Sequence, residues 1–404
     1  MKKWREVRLG EVCEKIGSGA TPRGGKEAYH TSGISLIRSQ NVLDFSFSED
    51  GLVYIDEEQA GKLKNVCVEP SDVLLNITGD SVARACMVED EFLPARVNQH
   101  VAIIRGKKDI ILNSYILYFL QMRKPNLLML SAGGATRKAL TKQMIEDVMI
   151  PLPSLCTQTK IVKLLDDIQK RLQCNERINK NLEQQAQAIF KSWFVDFEPF
   201  DGRMPCDWSF GTLEDFGKEI ICGKTPPTKR KEYYGGHIPF VTIPDMHNQV
   251  YITETERYLS NEGAAYQPTK TLPKNSICVS CIGTAGLVSM ISQDSQTNQQ
   301  INSIVPKESI SPYYVYFLMK SLSETIIRLG GSGSTIVNLN KGQFAKIEAT
   351  IPSAETMNKF TNNVSPFFDL ILSNQRENHK LSKLRDALLP RLMSGEIDVS
   401  SVET

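Results

Sequence analysis

Two stretches of the chain repeat their inward positions at an unbroken four-three spacing. In the first, Ile161, Leu165, Ile168, Leu172, Asn175, Asn179, Leu182, Ala186, Ile189 and Trp193 follow this rule. In the second, Val364, Phe367, Ile371, Asn374, Asn378, Leu381, Arg385, Leu388 and Leu392 do the same. A 3.5-residue period is the a/d seam of a coiled coil. The regions around them, about 154–196 and 353–393, have almost no glycine and read as helix throughout. Both seams hold two asparagines at matching places, 199 residues apart (374 − 175 and 378 − 179). Asparagine in a seam costs stability but fixes register, because each amide needs an amide opposite. Two separate amphipathic helices would also give such stripes. Antiparallel pairing about a pseudo-two-fold axis instead puts Asn175 opposite Asn378 and Asn179 opposite Asn374. The same register sets Ile168 by Arg385, Leu182 by Ile371 and Ile189 by Val364. Pro366 is expected to break or kink the second helix unless it sits in a first turn, leaving its seam continuous only from about Phe367. Pro390 is expected to bend or end it near Leu389.

The segments before each helix carry short β-rich runs such as "GISLIRSQNV" and "HIPFVTIPDM", with Gly, Pro, Asn and Asp between them. They are also two copies of one another. "VNQHVAII" from Val97 returns as "TNQQINSI" from Thr297, and "NSYILYFLQM" from Asn113 returns as "SPYYVYFLMK" from Ser311. "GSGATP" ending at Pro22 matches "ICGKTP" ending at Pro226, and "IPLP" from Ile150 matches "IPSA" from Ile351. The expected fold class is therefore α+β: two tandem-duplicated mixed α/β domains separated by two long helices that pair as an antiparallel coiled coil. The boundaries read as 1–152, 153–197, 198–352 and 353–404.

Composition narrows the chemistry. A 404-residue chain that is 41% hydrophobic can bury two or three cores. The charged opening "MKKWREVRLGEVCEKIG" is unlike a signal peptide, and no apolar run reaches the roughly 20 residues of a membrane span. Nine scattered cysteines fit reduced thiols, so a cytoplasmic protein with no membrane contact is expected. Cys278 and Cys281 form a CxxC, but no second Cys/His pair lies near, and the segment reads as a buried strand. Five histidines show no ligand spacing, so no metal site is expected. "GKT" at Gly223–Thr225 lacks the earlier glycine of a phosphate loop, since Lys218 stands there. No catalytic constellation is present, and no catalytic residue is assigned. Net charge is +1, so any DNA binding must come from local basic clusters.

Several segments resemble the specificity (S) subunits of type I restriction–modification systems. "IPLPSLCTQTKIVKLLDDI" with "NKNLEQQAQAIFKSWFVDFEP" is similar to that family's central helical region, and "HKLSKLRDALLPRLMSGEIDV" to its C-terminal one. "WREVRLGEVCEKIGSGATP" and "WSFGTLEDFGKEIICGKTP" resemble the starts of its target-recognition domains. The resemblance implies a non-catalytic, sequence-specific DNA-binding subunit, each domain reading one half of a bipartite site in double-stranded DNA. It implies two methyltransferase (M) and two restriction/translocase (R) subunits as partners. S-adenosylmethionine, ATP and Mg would then be used by those partners, with no cofactor bound here. A stand-alone bipartite regulator and an enzyme with a pseudo-two-fold active site are the rival readings.

Candidate DNA contacts cluster at matching places in the two copies. The first loop offers Thr21, Arg23 and Lys26, and its counterpart Thr225, Lys229, Arg230 and Lys231. After the next predicted strand come Arg38, Gln40 and Asn41, opposite Thr242, Asp245 and His247. Arg, Gln and Asn suit base edges, while Lys and Thr suit phosphates. A solvated loop would look the same. A glycine-rich loop offers Thr136, Arg137 and Lys138, matched by Ser334, Thr335 and Lys341; a flexible hairpin is the alternative. Asn98-Gln99 and Asn298-Gln299 recur in both copies, which favours a shared structural amide network over base readout. Phe190, Trp193 and Phe194 flank the seam and are expected to be an exposed partner surface.

Overall fold

The computed structural model describes residues 4–132, 138–331 and 337–402. Two helices of 40 residues dominate it, Leu155–Phe194 and Ala354–Met393. The chain divides into two compact units, residues 1–172 with 380–404, and residues 173–379. Each unit therefore holds one mixed domain and a stretch of both long helices.

In the first unit the strands are β1 (Glu6–Arg8), β2 (Cys13–Ser18), β3 (Ile34–Ile37), β4 (Val53–Ile55), β5 (Cys67–Val68), β6 (Val73–Asn76), β7 (Ala85–Met87), β8 (Ala95–Val97), β9 (Val101–Gly106) and β10 (Met149–Pro151). An antiparallel sheet runs β2-β9-β6-β7, and a second sheet runs β4-β3-β8-β5, in which β3 and β8 are parallel. β6 opens with the apolar run "VLL" and is buried along its whole length, because both its faces are covered. Val73 and Leu75 join the core beneath helix Asn113–Met122, while Leu74 joins the core shared with Leu36 and Val97. The first of these cores also takes in Ile161, Leu165, Leu389, Leu392 and Val399.

The second unit repeats this plan with β11 (Ser209–Thr212), β12 (Gly217–Cys222), β13 (Tyr234–Val241), β14 (Tyr251–Ile252), β15 (Arg257–Leu259), β16 (Ile277–Ser280), β17 (Val288–Ile291), β18 (Gln296–Thr297), β19 (Ile301–Pro306) and β20 (Glu348–Ile351). Its sheets run β12-β19-β16-β17-β14 and β15-β13-β18, with β13 and β18 parallel. Helix Pro312–Ser321 packs as its counterpart does. Cys278 lies within β16, fully buried, with its thiol against the Ser303 hydroxyl at 3.4 Å.

The long helices pair antiparallel in the expected register. Asn175 Nδ2 donates to Asn378 Oδ1 at 2.8 Å, and Asn374 Nδ2 donates to Asn179 Oδ1 at 2.9 Å. In the first unit Arg385 Nη1 donates to Gln169 Oε1 at 3.0 Å, next to Ile168. Two details differ from the sequence reading. The second helix continues through Pro366 and Pro390 to Met393. A proline removes one backbone donor and crowds one carbonyl; Val364, Phe368 and Ile371 pack into the second unit's core around Pro366, and Leu389 and Leu392 into the first unit's core around Pro390, which holds the helix at each. The seam position Phe367 is only partly covered, while its neighbour Phe368 is fully buried against Tyr313 and Phe317 of the second domain.

Candidate nucleic-acid interface

Strand register gathers four loops at one edge of each unit. In the first, β2 ends at Ser18 opposite Ala102 near the start of β9, and β6 ends at Asn76 opposite Val101. β3 and β8 finish side by side at Ile37 and Val97. In the second, Cys222 faces Asn302, Ser280 faces Ile301, and Val241 lies beside Thr297. Loops leaving these strand ends must share one surface.

A two-residue turn organises that surface. Asn98 donates its N–H to the Ile37 carbonyl at 3.0 Å and accepts the His100 N–H on Oδ1 at 3.0 Å. Asn298 donates to the Val241 carbonyl at 3.1 Å and accepts the Gln300 N–H at 3.0 Å. Both asparagines are buried, and each is an Asx-type turn builder. This is the structural amide network favoured by their recurrence. The first loop lies directly on the turn. Gly19 donates to the Val101 carbonyl at 2.9 Å and Gly223 to the Ile301 carbonyl at 3.1 Å. A Cβ on Gly19 would stand 1.9 Å from the Val97 oxygen, and one on Gly223 would stand 2.1 Å from the Asn298 oxygen. Glycine is required at both places.

Two residues further on, the Thr21 hydroxyl donates to Gln99 Oε1, and Thr225 Oγ1 donates to Gln299 Oε1 at 2.7 Å. The other side of the turn holds the loop after β6 or β16. Ile77 donates to the His100 carbonyl at 3.0 Å, and Cys281 donates to the Gln300 carbonyl at 2.8 Å. Gly79 then donates to the Lys138 carbonyl, and Gly283 to the Val337 carbonyl, each at 3.1 Å. The ends of the glycine-rich loops thereby join the cluster. Thr78 Oγ1 and His100 Nδ1 lie 2.6 Å apart in the first unit.

Comparison with known proteins decides the family. A family model described as the type I restriction modification DNA specificity domain matches residues 1–184 and again 205–383. The type I restriction enzyme HindI specificity subunit of Haemophilus influenzae is 32% identical, over 98% of this chain and 100% of that one. The chain belongs to the type I restriction–modification specificity subunits. The MjaIX specificity subunit of Methanocaldococcus jannaschii is 32% identical over 48% of this chain and 45% of its own. The crystal structure of the S subunit from M. genitalium shares the fold, with a TM-score of 0.60 over 96% of each chain at 14% identity. Membership makes this a DNA-recognition subunit with two domains. Among the described residues, no helix is long and apolar enough to cross a membrane.

The expected contact residues of the specificity subunit fall into three groups. Arg23, Lys138, Lys229, Arg230, Lys231, His247 and Lys341 are exposed on these loops. Arg230 also donates Nη1 to the Tyr233 hydroxyl at 2.9 Å. Thr136, Arg137, Ser334 and Thr335 lie outside the described residues, as does the side chain of Lys26. The third group builds the loops. Asn41 is fully buried, accepting the Arg38 N–H at 3.0 Å and donating to Ser48 and Asp50 carbonyls at 2.9 and 3.2 Å. An amide with no surface and both ends engaged cannot reach a base, so Asn41 leaves the candidate set. Arg38 donates to the Gly51 carbonyl and lies 5.6 Å over the Tyr29 ring, and Gln40 Nε2 donates to the Asp50 and Gly51 carbonyls at 3.2 Å each. Thr242 and Asp245 form the capping box of helix Ile243–Met246, with Asp245 Oδ1 also accepting the Glu256 N–H at 2.8 Å.

The expected partner surface is corrected outright. Phe190 and Phe194 are 5% and 8% exposed, and Trp193 is partly buried against the same core. Phe190 lies 5.5 Å from Tyr314 and 5.6 Å from Phe317, while Phe194 meets Phe360 at 5.0 Å. Beside the seam, the helix therefore has another covered face, packed on the second domain, where seam spacing alone suggested bare flanks. Residues missed from the sequence are Gln99 and Gln299 as partners of the loop threonines, and Lys224, which lies 5.4 Å over Tyr266. The recurring "NQ" was the available signal. Its partners stand 78 and 74 residues away, beyond any local pattern.

Proposed function

We propose that the subunit reads a split DNA site, one half with the loop cluster of each unit, on behalf of two methyltransferase and two restriction subunits that carry the chemistry. S-adenosylmethionine, ATP and Mg belong to those partners in this reading. The observation that supports it most is the doubling of the cluster with different exposed side chains. The framework is common: a buried Asn, a Thr–Gln pair and a glycine with no room for a Cβ. The exposed complement differs, with Arg23, Gln40 and Lys138 in one, and Lys229, Arg230, Lys231, His247 and Lys341 in the other. A shared scaffold with different tips is what two readers of different half-sites need, since bases are distinguished by side chains at groove edges.

The paired asparagines support a second element of the proposal, that the helices act as a spacer of fixed register. A buried amide pair is stable only when matched, so slipping the helices strands it. Replacing residues 1–152 with the corresponding domain of another specificity subunit tests the reading by sequencing methylated DNA. One half of the motif should change while the other half and the gap stay. Change in both halves, or in neither, overturns it. Lengthening both helices by matching insertions should lengthen the unread gap, and an unchanged gap contradicts the spacer role.

A further inference from the structure

We propose that Gln99 and Gln299 are sequence-independent phosphate clamps, one per domain, each aimed by its loop threonine; the proposal rests on the split-site reading above. The argument begins with what the pair shares. Both glutamines sit at the tip of an Asx turn whose asparagine is buried and engaged. Both accept a threonine hydroxyl on Oε1. That contact commits the acceptor end of the amide and leaves the Nε2 end, with two N–H donors, as the end that can face a ligand. In the first domain Gln99 Nε2 lies 3.1 Å from His100 Nε2, so with that ring nitrogen as acceptor one N–H is held there and the other remains for a ligand.

A donor-only tip suits an acceptor-only ligand, and the phosphodiester oxygens of DNA are that ligand. Exposed cations stand on the same loops, Arg23 and Lys138 in the first unit and Lys224, Lys229 and Lys341 in the second. The decisive point is the repetition itself. Residues that choose bases must differ between domains reading different half-sites, as the neighbouring loops do. A pair kept in both, built on the same glycine and the same turn, does work that both half-sites require. Holding the backbone in register is such work.

A neutral donor makes the idea separable from the lysines and arginines around it. Salt dependence of binding counts the charges that displace counterions. Gln99→Ala or Gln299→Ala in the complex with the methyltransferase subunits should weaken binding roughly ten-fold, the worth of one hydrogen bond to a charged group at a wet surface. The loss should be equal for cognate and scrambled duplexes, with the slope of log Kd against log salt unchanged and the methylated motif unaltered. Gln99→Glu keeps the shape but presents a carboxylate, so its loss should exceed that of alanine at low salt and shrink as salt rises. Thr21→Val should weaken binding in the same sequence-independent way, by less. If the alanine variant melts early, Gln99→Met, which fills similar space without an amide, decides in its place. Altered base preference at any motif position would make the glutamine a reader and overturn the clamp, as would undiminished affinity. Wild-type complex that fails to discriminate cognate from scrambled DNA would refute the split-site reading itself, a separate result.

Discussion

Gly19 and Gly17 lie two residues apart in the same segment, and the structure predicts opposite outcomes for the same substitution. Gly17 pairs with Ile103 in β2, and an added Cβ would meet nothing within 4 Å. Gly19 would put its Cβ 1.9 Å from the Val97 oxygen and 2.4 Å from the Asn98 oxygen. Those are backbone atoms of a turn pinned by the hydrogen bond from Asn98 to Ile37, so neither can withdraw as a flexible side chain would. Overpacking costs roughly 1–3 kcal/mol, and a backbone clash belongs at the upper end. For a domain of 150–250 residues each kcal/mol lowers Tm by about 2–4 °C, so Gly19→Ala should melt roughly 5–10 °C early. Gly17→Ala should melt within about 2 °C of wild type or slightly above it, since alanine loses less entropy than glycine in a strand. Calorimetry of the two variants decides the matter. Because the clash lifts the Thr21 loop off its turn, Gly19→Ala should also bind cognate DNA more weakly, whereas Gly17→Ala should bind normally. Equal melting of the pair would refute the reasoning that places the loop against the turn.

Three further outcomes follow from the packing. Phe190→Ala removes a buried ring from an aromatic cluster and should cost about 3–5 kcal/mol in urea unfolding; a loss below 1 kcal/mol would revive a partner-contact role. Truncation after Met393 removes Val399, which is 5% exposed in the first unit's core, and the Ser400 carbonyl that receives the Lys160 ammonium at 2.6 Å. Amide hydrogen exchange should therefore quicken in helix Asn113–Met122 and stay unchanged in helix Pro312–Ser321, although the cut lies beyond the second domain in sequence. Burial pushes the Cys278 thiol up to about 12 and the Cys281 thiol up to about 11. Both stay protonated, and shielded, well above neutral pH, so thiol reagents at pH 8 should label exposed Cys156, Cys174 and Cys206 and leave the CxxC unmodified. Rapid labelling of Cys278 would contradict the buried strand.

The duplication and the helix register were legible because both are periodic. An offset of 199 between asparagine pairs needs no knowledge of the fold, and the amides meet as antiparallel pairing of the two copies requires. Exposure was not legible. The flank positions of a heptad look alike whether they face water or a domain, so Phe190 and Phe194 read as surface until the second domain was seen to cover them. The same limit explains Asn41, since an amide after a strand can build its own loop or reach outward. At Pro366 and Pro390 the break or end that local propensity allows does not occur, because tertiary packing keeps the helix continuous. The Thr–Gln contacts could not be inferred, because a side-chain pair closed over more than 70 residues leaves no trace in spacing.

The central claim is that two different readers act on one DNA at a fixed separation. Single-molecule sequencing of methylated bases in cells carrying this subunit with its methyltransferase tests it most directly. The account predicts two short specified blocks of different sequence, separated by a constant number of unspecified base pairs. A single continuous block, a gap that varies from site to site, or methylation without a motif would contradict it.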